Sequence, residues 1–320
     1  MAHLIIQIPA YDEAETIAAT LADLPREVPG FSRVEWLLVD DGSRDRTVEI
    51  ARAAGVDHVV RLSHNQGLAR AFMAGIEASL KLGADVIVNT DADNQYDAAC
   101  IADLVVPILD GQALIVVGER PIAKMREFSW LKRLLQKLGS AVVRFVSATD
   151  VPDAPSGFRA IHRDAALQVC VFGNYTYTLE TLIQAGRKNL PVASVPVRVN
   201  RVTRPSRLVR SIPSYVAKSL LTIVRIFVLY KPFRFFALVG TVILLPGLVI
   251  GLRFLADYLA GNGQGHVQSL ILAAILIVMA FITYAAGLLA DLIAANRLLL
   301  EELRMRQLRA EVAAVRPAVR

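Results

Sequence analysis

Short apolar runs alternate with longer amphipathic stretches over much of the chain. The runs are rich in valine, isoleucine and leucine, and they occupy residues 4–8, 35–39, 59–62, 86–88, 113–117, 158–161 and 192–199. Runs of this length, separated by helical patterns, predict β-strands that alternate with α-helices. We therefore expect an α/β fold with a mainly parallel sheet that is covered by helices on both faces.

Polar residues follow the predicted strands. Asp40 and Asp41 come after the second strand, Asp91 and Asp93 after the fourth, and Glu119 after the fifth. The carboxyl ends of parallel strands gather at one edge of a sheet, and ligands bind at that edge. The motifs G-x-G-x-x-G and G-x-x-x-x-G-K-[ST] do not occur in the sequence, which argues against a dinucleotide site and a P-loop.

Asp91 and Asp93 are two residues apart, so an extended backbone would direct both carboxylates the same way. Two carboxylates in one small volume repel each other unless a cation or a proton intervenes. Oxygen ligands suit Mg²⁺ or Mn²⁺, and Gln95 offers a third, neutral oxygen. The alternative is a surface turn with solvated acids.

Two stretches near the C-terminus, residues 235–252 and 267–290, contain no charged residue. Each is close to the ~20 apolar residues that a membrane-spanning helix needs. They predict transmembrane helices at 235–258 and 267–290, and buried core helices are the alternative.

The net charge of +6 is unevenly distributed. Residues 196–320 carry 16 Lys and Arg against 5 Asp and Glu, whereas residues 1–195 carry 19 against 24. The connector at 261–266 contains no Lys or Arg, so the positive-inside rule predicts that both termini are cytoplasmic. We expect a multi-pass protein of the cytoplasmic (inner) membrane whose partner is the lipid bilayer rather than a nucleic acid.

These patterns divide the chain into four segments. We expect a cytoplasmic α/β domain at 1–205, a juxtamembrane amphipathic helix at 206–232, a transmembrane hairpin at 233–290 and a cytoplasmic C-terminal helix at 291–320. The juxtamembrane helix fits the membrane interface, although packing against protein is the alternative. The transmembrane and C-terminal helices offer surfaces for a homo-oligomer. Cys100 and Cys170 lack metal or redox spacing, and we expect both to be reduced.

Four short motifs occur in a familiar order. They are Pro9-Ala10-Tyr11-Asp12-Glu13, Asp40-Asp41-Gly42-Ser43, Asp91-Ala92-Asp93-Asn94-Gln95 and Ser156-Gly157-Phe158-Arg159. Together with the two apolar stretches, they resemble the family 2 polyprenyl-phosphate glycosyltransferases, which have the GT-A fold. The resemblance implies transfer of one sugar, with inversion, from a nucleotide-sugar to a polyprenyl phosphate. It favours a UDP-sugar such as UDP-glucose as donor and leaves GDP-mannose open.

The resemblance also implies roles for individual residues. The nucleotide-sugar would be bound by Pro9, Tyr11, Glu13, Asp40, Asp41, Gly67, Arg70 and Asp91. The metal that bridges the diphosphate, Mg²⁺ or Mn²⁺, would be held by Asp91, Asp93 and Gln95. An ordinary turn glycine is the alternative role for Gly67.

A lipid phosphate is already anionic, so it needs orientation by cationic groups more than it needs a general base. We expect the acceptor to be bound by Arg120, Arg133, Lys137, Ser156 and Arg201, and the resemblance favours Arg120, Arg133 and the region of Ser156 among them. The residues expected to act in catalysis are Asp93, Arg120, Arg133, Arg159, Arg201 and Arg204. A solvated surface position is the alternative for each arginine.

Other functions remain open at this stage. The Q-x-x-R-W motif of chain-extending relatives is absent, which favours a single transfer. Glu180 lies where related sugar-to-sugar transferases have a catalytic acid, so a hydroxyl acceptor is one alternative. A membrane protein that binds a nucleotide-sugar without catalysis is another. A dehalogenase-type phosphatase is disfavoured, because Asn94 stands where that class normally has Thr or Val.

Overall fold

The computed structural model of the chain describes residues 2–121, 141, 144, 149–171, 177–200, 221, 224–225, 228–261 and 267–315. The chain forms two compact units. The first comprises Met1–Ile212 together with Glu301–Arg320, and the second comprises Pro213–Leu300. Most of the predicted juxtamembrane helix and residues 262–266 of the connector lie outside the described residues.

Within the described part of the first unit, one sheet has the strand order β3-β2-β1-β4-β6-β5-β7. The strands are β1 Ala2–Ala10, β2 Phe31–Asp40, β3 His58–Arg61, β4 Val86–Asn89, β5 Ile115–Glu119, β6 Arg159–His162 and β7 Val192–Pro196. All neighbouring strands are parallel except β6, which is antiparallel to β4 and β5. The predicted, mainly parallel sheet is therefore confirmed.

The helices of this unit connect the strands. They are α1 Ile17–Asp23, α2 Thr47–Ala53, α3 Leu68–Lys81, α4 Ile101–Leu109, α5 Arg163–Ala166 and α6 Tyr177–Arg187. The predicted helix at 98–109 begins with a 3₁₀ turn, Ala98–Cys100, before α4. Residues 3–10 of β1 are all buried, because helices cover both faces of a parallel sheet. Leu4, Ile6 and Ile8 form the centre of one face of this core.

The second unit contains helix α7, Pro232–Leu259, and the first part of helix α8, Val267–Val315. Both helices are long and apolar enough to cross a membrane, and each has a mean hydropathy of 2.5 over its most apolar window. Glycines allow the two helices to approach each other closely. A Cβ added at Gly240 would lie 3.1 Å from the ring of Tyr284, and one added at Gly247 would lie 3.0 Å from Leu276. Close approach at glycines is typical of helices that pack in a bilayer.

The outward surfaces of these two helices are apolar. Only 11% of the apolar window of α7 and 17% of that of α8 is buried, and Leu238, Val249 and Phe281 are among the exposed side chains. A core helix of a water-soluble protein buries such residues, because exposed apolar surface is unfavourable in water. The exposure favours the transmembrane hairpin over the alternative of buried core helices.

The C-terminal end of α8 packs on the first unit. Leu308 and Val312 are 7% and 2% exposed. Ion pairs join Arg304 to Glu77 and, at 3.1 Å, the Nζ of Lys81 to the Oε2 of Glu311. One helix thus contributes residues to both units. The division of the chain into four segments remains a prediction, as does the homo-oligomer.

This packing predicts that the first unit depends on the end of α8 for stability. A Val312→Asp variant places a carboxylate in a site without water, which we expect to cost about 3 kcal/mol and to lower the thermal midpoint by roughly 6–12 °C. The measurement is thermal unfolding of the full chain in detergent, followed by tryptophan fluorescence. The control is Ala313→Asp, at the neighbouring exposed position, which should unfold like the wild type. Equal midpoints for both variants would contradict the prediction.

Candidate active site

The loops after β1 and β2 are joined by hydrogen bonds from backbone amides to short polar side chains. The amide of Asp12 donates to the Ser43 hydroxyl at 3.0 Å, and the amide of Glu13 donates to the Thr47 hydroxyl at 2.9 Å. Asp12 has a positive φ of 51°, which Asp tolerates better than most residues. Most side-chain hydrogen bonds in proteins are made to the backbone or to water. The two loops therefore form one fixed wall at the carboxyl edge of the sheet.

Asp40 and Asp41 are both buried behind this wall. The two carboxylate oxygens of Asp41 accept hydrogen bonds from the amides of Gln66 at 2.7 Å and Gly67 at 2.8 Å. Asp40 accepts from the amide of Ser43 at 2.9 Å, and its Oδ2 lies 3.1 Å from the Nε of Arg61. In the structure these carboxylates hold the loops at the ends of β2 and β3. Their contact with a base or ribose remains a prediction.

A cleft of about 430 Å³ opens at the ends of β1, β2 and β3. Its lining residues are Tyr11, Gly42, Ser43, Arg44, Arg61, Leu62, Ser63, His64 and Asn65. The volume is within the range of small-molecule sites. Tyr11 was predicted from the sequence, whereas Arg44, Arg61 and His64 were missed. These three residues lie at or near the ends of predicted strands, and that position could have indicated them as it indicated the acidic residues.

The remaining predicted donor residues are not among those that line the cleft. Pro9 is buried in β1, and Gly67 is the residue before α3, with a φ of 93° that suits glycine. Arg70 is exposed in the first turn of α3. Their roles in binding a nucleotide-sugar remain predictions.

The loop that carries Asp91 and Asp93 is held from two sides. The hydroxyl of Thr20 in α1 donates to the carbonyl of Ala92 at 2.9 Å. On the other side, the amide of Asn200 donates to the carbonyl of Gln95 at 2.9 Å. The loop therefore has a defined position although it contains few apolar residues.

The charges at this loop are unbalanced. Burial, Asp93 and Glu13 raise the pKa of Asp91 to about 7, and Arg120 opposes this rise. A bound divalent cation would relieve the repulsion between the carboxylates. Glu13 lies two residues beyond Tyr11 in the cleft wall. The loop after β1 therefore contributes Tyr11 to the cleft and places Glu13 near enough to affect Asp91.

The residues present suit Mg²⁺ or Mn²⁺. Within the described residues, no group of three or more His, Cys, Asp or Glu could hold a metal ion. Two carboxylates are nevertheless enough for Mg²⁺, which usually keeps several waters and binds substrate phosphates. Gln95 as a third ligand remains a prediction.

Arg120 follows β5 and is fixed by Asp153. Its Nε lies 2.7 Å from the Oδ2 of Asp153 and its Nη2 lies 3.0 Å from the Oδ1. This bidentate ion pair fixes the orientation of the guanidinium group, and the side chain of Arg120 is only 12% exposed. Arg120 therefore balances the acidic site, and its predicted contact with an acceptor phosphate remains a prediction.

Gly157 lies directly against Asp91. A Cβ added there would be 3.1 and 3.2 Å from the two carboxylate oxygens of Asp91 and 2.8 Å from the hydroxyl of Tyr177. Any larger residue would displace one of these groups, which explains glycine in the motif that runs from Ser156 to Arg159. Burial and Asp91 raise the pKa of Tyr177 well above its usual value. The hydroxyl therefore stays protonated and can donate a hydrogen bond.

Two predicted site residues are buried in the structure. Arg159 is completely buried, and its guanidinium donates to the carbonyl of Ser156 at 2.8 Å, to that of Ala154 at 2.6 Å and to the hydroxyl of Thr181. Ser156 is also completely buried. The guanidinium of Arg159 satisfies carbonyl groups of the surrounding loop and so stabilises the loop that contains Gly157. The predicted roles of Arg159 in catalysis and of Ser156 in acceptor binding remain predictions.

Four other predicted residues cannot be placed. Arg133, Lys137, Arg201 and Arg204 lie outside the described residues. Glu180, in the first turn of α6, is 7% exposed. Its burial does not favour the alternative in which Glu180 activates a hydroxyl acceptor.

The sequence profile described as glycosyl transferase family 2 matches residues 5–169, which is slightly more than half of the chain. The matched range contains the cleft, the carboxylate pair and Gly157. The chain therefore belongs to glycosyl transferase family 2.

Two curated relatives illustrate the similarity. The polyprenol monophosphomannose synthase of Mycolicibacterium smegmatis is 26% identical over 204 residues, which cover 60% of this chain and 76% of that protein. The UDP-N-acetylglucosamine–dolichyl-phosphate N-acetylglucosaminyltransferase of Methanococcus voltae is 29% identical over 215 residues, with coverage of 60% and 83%.

A solved structure agrees with the fold. Glucosyl-3-phosphoglycerate synthase from Mycobacterium tuberculosis, in complex with Mn²⁺, UDP-glucose and phosphoglyceric acid, matches with a TM-score of 0.54. The match is 21% identical and covers 71% of this chain and 79% of that chain. This similarity confirms the predicted GT-A-type α/β fold, which two apolar helices follow.

The shifted pKa of Asp91 predicts a pH dependence of stability in the absence of divalent ions. The pKa is about 7 in the folded protein, against an ordinary value of 3.8. Between these values the folded protein keeps a proton that the unfolded chain has released, so this contribution is lost as the pH rises through 7. In EDTA, we expect the thermal midpoint to fall from about pH 4.5 to about pH 7.5.

The variant Asp91→Asn provides the control, because an amide does not titrate in this range. Its midpoint should vary less with pH than that of the wild type over the same interval. Identical pH profiles for the two proteins would show that Asp91 has an ordinary pKa.

Proposed function

We propose that the protein transfers one sugar from a nucleotide-sugar to a polyprenyl phosphate. The observation that carries the proposal is the loop after β1, which lines the cleft with Tyr11 and places Glu13 near enough to Asp91 to raise its pKa. Such a site suits a nucleoside next to a metal-bound diphosphate. Membership of family 2, the names of the relatives and the two apolar helices support a lipid acceptor.

The donor would lie along the carboxyl edge of the sheet. The nucleoside occupies the cleft, where Tyr11 offers a ring and Arg61 offers hydrogen-bond donors. Asp91, Asp93 and Gln95 would hold Mg²⁺ or Mn²⁺ at the diphosphate. When bound, this ion neutralises the charge that develops on the departing nucleoside diphosphate. We favour a UDP-sugar such as UDP-glucose as the donor, with GDP-mannose as the other candidate.

The acceptor phosphate attacks the anomeric carbon from the side opposite the leaving nucleoside diphosphate, so the configuration inverts. The attacking oxygen is already anionic, and no proton has to be removed. Orientation by cationic side chains is then the main requirement. Arg120 is one candidate for this role, together with Arg133, Lys137, Arg201 and Arg204.

The predicted topology places the acceptor and the site on one side of the membrane. We propose that α7 and the first part of α8 span the cytoplasmic membrane, with both termini in the cytoplasm. A polyprenyl chain stays in the bilayer, because moving each CH₂ group into water costs ~0.8 kcal/mol. Its phosphate therefore remains at the depth of the headgroups, and the catalytic unit has to work there.

The catalytic proposal predicts formation of a lipid-linked sugar. Purified protein, radiolabelled UDP-glucose or GDP-mannose, undecaprenyl phosphate and Mn²⁺ should give organic-soluble radioactivity. Excess EDTA should abolish the product, and Asp91→Asn or Asp93→Asn should lower kcat by roughly 100-fold or more. The matched control is Asp103→Asn, an exposed carboxylate on α4, which should keep the wild-type rate. Binding of the donor with no product would leave the non-catalytic alternative.

The topology predicts that the connector between α7 and α8 lies outside the cell. A cysteine introduced by Asn262→Cys should react with an impermeant thiol reagent on intact cells. Cys100 and Cys170 are buried, so the background labelling should be low. The control Ala313→Cys, exposed near the C-terminus, should react only after lysis. The reverse pattern would place the termini outside.

A further inference from the structure

A buried polar cluster lies beneath Asp91. The carbonyl of Gly157 accepts hydrogen bonds from the side-chain amide of Asn89 at 2.9 Å and from the hydroxyl of Tyr177 at 3.4 Å. The same amide of Asn89 also donates to the Tyr177 hydroxyl at 3.1 Å. On the other side, the amide of Gly157 donates to the Tyr96 hydroxyl at 3.2 Å. Both polar groups of Gly157 are therefore fixed by side chains.

The cluster is itself held by the core. The side-chain oxygen of Asn89 accepts from the Nε2 of Gln7 at 2.8 Å. The ring of Tyr177 stacks on Phe72 of α3, with 4.1 Å between centroids and 18° between planes. Asn89 is fully buried and Tyr177 is 2% exposed. Packing at this density leaves the hydroxyl and the amide little freedom to move.

Asp91 lies next to this cluster. Its two carboxylate oxygens are 3.1 and 3.2 Å from the position that a Cβ would take on Gly157. A shift of the Gly157 backbone towards Asp91 would therefore crowd the carboxylate. Ligands that hold a metal ion usually need a second layer of residues to orient them.

We propose that Tyr177 is a positioning residue that holds the Gly157 peptide and thereby orients Asp91 towards a divalent cation at the diphosphate. The inference rests on the proposed function and adds a residue outside the four sequence motifs. It implies that Tyr177 affects binding of the metal–diphosphate pair and leaves the nucleoside cleft unchanged, because that cleft is built from the ends of β1, β2 and β3.

The test is Tyr177→Phe, which removes the hydroxyl and keeps the stacked ring. Calorimetry on the full chain in detergent measures the dissociation constant of UDP or GDP, whichever the wild type binds more tightly, with Mn²⁺ and with EDTA. We expect the affinity in EDTA to remain unchanged and the gain on adding Mn²⁺ to fall roughly 3- to 10-fold, the effect of one hydrogen bond. The matched control is Tyr284→Phe, which removes a hydroxyl that lies 2.9 Å from that of Thr241 and should keep the full gain.

A merely structural role for Tyr177 gives a different result. In that case Tyr177→Phe would lower the thermal midpoint, or it would weaken nucleotide binding equally with Mn²⁺ and with EDTA. Either result, if the gain in affinity on adding Mn²⁺ stays at the wild-type value, would overturn the inference. The wild-type protein separates the two proposals. Failure of the wild type to bind nucleotide or transfer sugar would refute the proposed function. Normal transfer together with a wild-type gain in Tyr177→Phe would refute only the role of Tyr177.

A double variant tests the route through Gly157. Gly157→Ala alone should lower the Mn²⁺-dependent gain roughly 10- to 100-fold, because the added Cβ presses on Asp91. Removing the Tyr177 hydroxyl removes the closest contact of that Cβ, at 2.8 Å. The double variant should therefore lose less than the product of the two single losses. Losses that multiply would show that the two residues act independently.

Discussion

Repulsion between carboxylates at the carboxyl edge of the sheet is the constraint around which the first unit is arranged. Asp91 and Asp93 lie close together, and Glu13 adds a third negative charge nearby. In the structure, the high pKa of Asp91 and the neighbouring Arg120 reduce this repulsion. Asp153 in turn fixes Arg120. A bound divalent cation would relieve the repulsion further.

Holding such charges in place requires a rigid frame, and buried polar groups supply it. Asp41 fixes the turn before α3 through two backbone amides. Arg159 satisfies the carbonyl groups of the loop before β6, and Asn89 joins β4 to Gly157. These groups are costly to bury without partners, so each is tied to a specific neighbour. The polar core therefore defines the shape of the site.

The two apolar helices differ from the first unit in the side chains that they expose and in the residues through which they pack. In α7 and the first part of α8 the exposed surface is apolar, and the contact between the helices is made at glycines. The end of α8 returns to ordinary amphipathic packing, with Leu308 and Val312 buried and Arg304 in an ion pair. The same helix therefore has an exposed apolar surface in one part and belongs to the first unit in the other.

Local patterns determined much of this protein. The apolar runs located the strands, and the uncharged stretches located most of α7 and the first part of α8, because burial in a sheet or in lipid requires contiguous apolar residues. The continuation of α8 through residues 291–315 as one helix came from the structure. The position of Asp91 and Asp93 just after β4 indicated a ligand site, because ligands bind at the carboxyl ends of parallel strands. Tertiary structure alone decided that β6 runs antiparallel, that Arg159 is buried, and that Tyr177 lies beneath Asp91. These features depend on contacts between residues far apart in the chain, and a solvated arginine and a buried one look the same in sequence until packing supplies or withholds their partners.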